Sequence, residues 1–284
     1  MKSILAFFFF MTSTFAIMAA QTAIAQKQGL TLPHADFSEL KRVGTAEVVS
    51  IIDPQTVQLH DGQIIRLSGV DFPDLKVHEA GDFSVTTMRV LKDMLLNQGV
   101  NIYQTKKADR GRVNRMGHQI AHLERIADGI WVQGTLISLG LARVRTTQRT
   151  PEMAEQMYAL EQNARTDKLG LWEMEKFNPL LPNSAAEHVD SFQIIEGRIK
   201  STALKNNRIY LNFGKDWRSD FTVSIAPDDK RSFSKAGLDP LGWGGKTVRV
   251  RGWLESYNGP YIEITHPQAI EILNASAANA LPAQ

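Results

Sequence analysis

Short β-branched and alternating apolar runs follow one another from Gly44 onward. Gly44–Ile52 is rich in β-branched residues, Thr56–Leu59 alternates, and Ile64–Val70 follows. These predict three strands. Asp61-Gly62 lies between the second and third and signals a hairpin, so the three form a β-meander. The period then changes. Val85, Met88, Leu91, Leu95 and Leu96 recur near helical spacing over Phe83–Asn97, and Gly99 ends the run. Val100–Thr105 and His118–Ile126 read as two further strands, and Trp131–Leu139 as a short helix ended by Gly140. Pro151–Thr166 reads as a third helix, with Thr150 as its N-cap and Met153, Met157 and Leu160 on its apolar side. The prediction is mainly β. Five strands with helices packed on them suit a small closed barrel, because closure removes exposed edges.

Composition adds exclusions. The 284 residues are 43% apolar and 22% charged, which is ordinary globular composition and excludes a wholly disordered chain. There is no cysteine, so disulfides, thiolate metal sites and cysteine nucleophiles are excluded together. A formal net charge of +2 gives no global field that would advertise a partner. Charge nevertheless separates two blocks: residues 34–175 carry 17 basic against 19 acidic side chains, and residues 191–275 carry 12 against 9. Between them, residues 176–190 include Phe177–Ala186, with two prolines and small polar residues, and read as a linker. Residues 276–284 read as a frayed tail. Residues 1–25 read as an export signal: Lys2, the apolar run Ile4–Met11, and Ala23-Ile24-Ala25 ahead of Gln26. That run falls short of the ~20 residues of a spanning helix, and no other segment is apolar enough to span. The expectation is a periplasmic or secreted protein that relies on its core alone for stability.

Five stretches of the first block resemble, in order, the motifs of the staphylococcal-nuclease (thermonuclease) family. VVSIIDPQTVQL at 48–59 is similar to its "IDGDT" strand pair, and RLSGVDFPD at 66–74 to its "RL-x-G-x-D-x-P-E" turn. NRMGHQIAHL at 114–123 resembles "D-x-YGR-x-LA", ISLGLARV at 137–144 resembles "L-x-x-GLA-x-V", and ARTDKLGLW at 164–172 resembles the end of the last helix. The resemblance implies a five-stranded OB barrel with three helices. It also implies phosphodiester hydrolysis in DNA or RNA with calcium, a glutamate that prepares the water, and two arginines that clamp the phosphate.

Carried over residue by residue, the resemblance places Asp71, Gln55 and the carbonyl of Phe72 at the metal, and Arg66, Asp74 and His118 at the catalytic positions. Three of these depart from the pattern. Gln55 stands where the family has a second aspartate and brings no charge. Asp74 is one methylene shorter than the glutamate. His118 replaces the second arginine and cannot form a bidentate clamp. Arg112 offers an alternative register, but it lies eight residues before the apolar pair Ile120-Ala121, against two for His118. The departures point to weakened calcium binding and a degenerate site. Five positive charges in Lys106–Arg115 place Arg112 and Arg115 at a phosphate contact or in a solvated loop. None of the seven histidines stands in an H-E-x-x-H motif; His118 and His122 are four apart, but on a predicted strand they lie ~13 Å apart, too far for one zinc. Trp131 and Trp172 are expected in the core.

The second block reads as five strands: Phe192–Lys200, Arg208–Phe213, Phe221–Ile225, Thr247–Leu254 and Tyr261–Thr265. Asn206-Asn207 and Asn258-Gly259 are hairpin turns, and Ser232–Ala236 is a short inserted helix. That order suits a second small OB-like barrel. Arg249 and Arg251 share a face opposite Val248 and Val250. With Arg198, Lys200, Arg208, Trp217, Trp253 and Tyr257 they are candidates for a basic, ring-lined nucleic-acid groove. Three function classes remain open at this point: a metal-dependent nuclease, a protein that binds DNA or RNA without cutting it, and an envelope interaction scaffold.

Overall fold

A computed structural model of the chain describes residues 32–73, 81–216 and 218–273. The expected export signal, Asp74, Trp217 and the tail lie outside the described residues. The first block is a closed five-stranded barrel. β1 (Leu40–Asp53) pairs with both β2 (Thr56–Leu59) and β5 (Gln98–Thr105), β2 pairs with β3 (Ile64–Leu67), and β6 (Gln119–Arg125) joins β3 to β5. β1 serves two neighbours because register shifts near Arg42, Val48 and Ile51 bend it around the barrel. Closure needs one parallel pair: Ile65, Arg66 and Leu67 lie across from Gln119, Ile120 and Ala121.

Alternate positions of these strands fill the barrel. Val48, Val57, Leu59, Ile65, Leu67, Val100 and Leu123 are all buried, together with Leu91 and Leu95 of α1 (Gly81–Leu95). Each such side chain contributes about 1.5–3 kcal/mol by leaving water. α2 (Val132–Ser138) is buried along its whole length. Its Gln133 braces β6 rather than disrupting the core: Oε1 accepts from the Leu123 N–H at 3.1 Å, and Nε2 donates to the Ala121 carbonyl at 2.9 Å. Trp131 is fully buried, and its Nε1 donates to Nδ1 of buried His122 at 3.3 Å. Burial with no charged partner pushes the His122 pKa down to about 3.

The predicted third helix begins later than expected. α3 spans Ala154–Thr166 behind Met153, whose φ is 66°, while Thr150 hydrogen-bonds Thr147 instead of capping it. The stretch expected as one strand over Ile64–Val70 is broken at Ser68-Gly69. Gly69 has φ +77°, and a Cβ there would lie 2.7 Å from Met157 Sδ of α3. The break turns β4 (Val70–Asp71) out of the barrel to pair with β7 (Arg143–Val144). Two of the sequence motifs meet at Gly140, φ +65°, where a Cβ would sit 2.0 Å from the Leu169 carbonyl.

Seven strands build the second block, where five were expected. They are β8 (Ser191–Arg198), β9 (Ser201–Lys205), β10 (Arg208–Asn212), β11 (Thr222–Ile225), β12 (Thr247–Ser256), β13 (Pro260–Glu263) and β14 (Ile270–Ile272). β9 escaped the pattern because nearly all of it is exposed, so no apolar alternation marks it. The sheet runs β14-β12-β13-β11-β10-β9, with β8 also on β12 and a parallel β11–β13 pair. β8 and β9 are separated only by Ile199, which bonds to Lys246 beside β12, and Lys200, which bonds to Asn212 of β10. Asn206 and Asn207 (φ 50° and 61°) turn the β9–β10 hairpin as expected, and α4 (Lys230–Lys235) lies between β11 and β12. The segment between the blocks is packed. Leu180 exchanges backbone bonds with Ile194 and Glu196, and Ala185 is fully buried in the second core.

Candidate functional site

β4 carries Asp71 out of the barrel and sets it across from Arg143 of β7. The register decides its partners. Arg143 Nη2 donates to Asp71 Oδ2 at 2.7 Å, and Arg145 Nη1 donates to Oδ1 at 3.0 Å. Both oxygens of this carboxylate are thus bonded to guanidiniums. The second block closes over the pair: the Phe192 ring of β8 lies 5.1 Å from the Arg143 guanidinium and 4.8 Å from that of Arg145, and Arg143 also donates to the Phe192 carbonyl at 3.3 Å. Such cation–π contacts hold planar guanidiniums well. Arg143 is buried, whereas the Arg145 side chain is 43% exposed.

Gln55 sits in the turn after β1, where its N–H donates to Asp53 Oδ1 at 2.7 Å. Its Nε2 donates to the Val70 carbonyl at 2.8 Å, and its Oε1 accepts from Arg66 Nη2 at 2.6 Å. Gln55 therefore links exposed Arg66 to the base of β4. Phe72 packs against the first core. The structure links Gln55, Arg66 and Asp71 in a hydrogen-bonded chain that runs from Arg66 through Gln55 and β4 to Arg145, with Phe72 next to Asp71 in sequence. His118 is half-buried and lies two residues before Ile120, the cross-strand neighbour of Arg66. Asn114 Oδ1 holds that turn by accepting from the N–H groups of Met116 and His118.

Calcium asks for about six to eight oxygen ligands, several of them anionic. The described residues here do not meet that demand. Among the described residues, the Asp71 carboxylate is paired with two guanidiniums, an Asp53 oxygen accepts from the Gln55 N–H, and the Gln55 amide oxygen is engaged by a third cation. Among the described residues no three His, Cys, Asp or Glu side chains gather in a way that could hold a metal ion. Among its described members, Arg66, Arg143 and Arg145 stand around Asp71 and Gln55 and give the cluster an excess of positive charge.

The remaining candidates part company with this site. Arg112 turns back on its own loop, donating to the Thr105 carbonyl at 3.0 Å, while Arg115 is exposed. Arg249 and Arg251 require a correction: both are buried, at 6% and 4% exposure, rather than set on an open basic face, and only Arg251 reaches the wall of a cleft. They face α3. Arg251 meets Glu161 at 2.8 Å and Glu271 at 2.9 Å, with the Tyr158 ring 4.2 Å away. Arg249 meets Glu196 at 2.5 Å and Gln162 at 3.1 Å, and Arg165 also reaches Glu196 at 3.0 Å. Three arginines and three glutamates thus seal the blocks together. Trp172 belongs to the same seam, packed with Ala164 and Ile194 rather than inside the barrel, while Trp131 is in the barrel core as expected. Reasoning from sequence missed Arg143 and Arg145. Both stand in or beside the GLARV motif, but only the β4–β7 pairing puts them on Asp71.

Residues 64–174 match the family model described as Staphylococcal nuclease homologue. No curated protein matches the chain. The first block therefore carries a staphylococcal nuclease-like domain, in a mainly β fold with a closed barrel and packed helices. The matched segment includes Arg66, Asp71, Phe72 and His118 and begins after Gln55. Gln55 joins the site from the β1–β2 turn through its hydrogen bonds to Leu67, Val70 and Arg66.

Proposed function

We propose that this is a nucleic-acid-binding protein whose nuclease-like site is degenerate: it holds phosphate through arginines and hydrolyses phosphodiester bonds weakly or not at all. The observation that carries this reading is the pairing of both Asp71 oxygens with Arg143 and Arg145. A divalent ion would have to displace a guanidinium to reach that carboxylate, so calcium contributes little. Without it, the polarisation of the scissile phosphate and the activation of water are lost together. The guanidiniums retain the capacity for charge-assisted contacts to phosphate oxygens. We also read the second block as OB-like, supported by its parallel β11–β13 pair and by β8 and β9, which act as one bent strand serving both edges. Residues 1–25 direct export, and a mature chain that starts at Gln26 would support this.

The test uses the protein with single-stranded DNA and RNA, in calcium, in magnesium and in chelator. The expected result is binding that weakens steeply with salt and is the same in all three conditions, with little or no fragment release at high protein concentration. Fast cleavage abolished by chelator would overturn the degenerate reading in favour of an active metal-dependent endonuclease. Neither binding nor cleavage would leave an interaction scaffold.

A further inference from the structure

A cleft of about 200 Å³ opens along the seam between the blocks, beside the Asp71 cluster. Its walls come from both halves: Arg145 and the Thr147-Gln148 turn from the first, Phe192, Trp253 and Glu263 from the second. Two of these side chains stand out chemically. Arg145 is 43% exposed, and its bond to Asp71 uses only part of the guanidinium's donor fork. Trp253 is 49% exposed on β12, although that strand's backbone is pinned on β8, with Trp253 across from Phe192. An indole so exposed on a strand so well held gives a rigid stacking surface. The carboxylate in the cleft, Glu263, is paired with Arg208.

We infer that single-stranded nucleic acid crosses this seam, with a phosphate on Arg145 and an unstacked base against Trp253. The inference rests on the nucleic-acid-binding reading above and gives it a place that neither block supplies alone. The chemistry of the cleft is that of a base–phosphate unit: a half-exposed guanidinium for the anion and a half-exposed indole for the ring. A duplex keeps its base faces stacked and could not offer them to Trp253, so the ligand is single-stranded. Arg66 continues the track on the far side of the cluster, joined to it through Gln55 and β4.

The competing location is a larger groove of about 480 Å³ on the second sheet, lined by Tyr210, Tyr257 and Tyr261. The experiment separates the two. Binding of labelled oligo-dT and oligo-U to the protein is measured across a salt series for the wild type, Trp253→Ala, Arg145→Gln and Tyr257→Ala. Thermal midpoints are recorded for each. Trp253→Leu replaces the alanine variant if that one unfolds. The expected result is a loss of roughly tenfold for Trp253→Ala with an unchanged salt slope. Arg145→Gln is expected to weaken binding and to lower the slope of log affinity against log salt by about 0.7, because one phosphate contact is gone. Wild-type affinity in both variants, or a loss confined to Tyr257→Ala, would overturn the seam and leave nucleic-acid binding standing. No binding by the wild type would remove both.

Discussion

A carboxylate bonded through both oxygens to guanidiniums has little to give a divalent ion, and Asp71 is in that state. The neighbours matter more than the residue type. Restoring the family's residues with Gln55→Asp, Asp74→Glu and His118→Arg together is therefore expected to leave cleavage at background, because Arg143 and Arg145 still hold Asp71. A fluorogenic oligonucleotide assay in calcium checks this, and chelator-sensitive cleavage would mean that the pairing yields to metal. Two buried histidines add to the loss of stability in acid. Burial holds His266 down at about 4 and His122 down at about 3, both below the ordinary 6.5. In the unfolded chain they take protons first, so the unfolded state gains as pH falls from about 6.5. Stability is full above that pH and declines down through about 4 for His266 and about 3 for His122. His266 alone accounts for about 3 kcal/mol of that decline. It hydrogen-bonds Thr146 at 2.8 Å and Thr265 at 3.1 Å. Urea denaturation of wild type and His266→Gln at pH 7 and pH 4.5 measures the slope, which is expected to be shallower in the variant.

At the scale of elements, the approach of α2's end to the turn after α3 leaves no room for a side chain. Gly140→Ala would place a methyl 2.0 Å from the Leu169 carbonyl at a φ of +65°. A loss of about 3 kcal/mol or more is expected, read as a lowered denaturation midpoint at unchanged m-value. Much at this scale was legible in the sequence. The β-branched run of β1, the apolar positions of β2 and the spacing of Leu91 and Leu95 in α1 mark residues that the barrel buries, so the barrel could be read from them, although Val85 of the same spacing is exposed. The period cannot say what covers the other face. Arg249 and Arg251 were correctly placed opposite Val248 and Val250, yet α3 lies over them and buries both. Likewise Thr150 had the chemistry of a cap, but Thr147 claims its hydroxyl. The pairing of Asp71 with Arg143, distant in sequence, leaves no local signal at all.

Over the whole molecule, the blocks share a buried ionic seam and an apolar contact of Ala164, Trp172 and Ile194. They are expected to unfold in one calorimetric transition. Arg251→Ala would strand Glu161, 1% exposed, without its partner and cost about 3–5 kcal/mol. The double variant Arg251→Met with Glu161→Gln removes both charges and is expected to recover most of that loss in the same calorimetric experiment. The seam has a practical corollary. Dissolved ions screen charges that touch water far more than charges sealed away from it. Concentrated salt will reach Arg66 and Arg145 while leaving Arg249 and Arg251 undisturbed. A polyanion carried through purification can therefore be rinsed off at an ionic strength that does not pry the two halves apart.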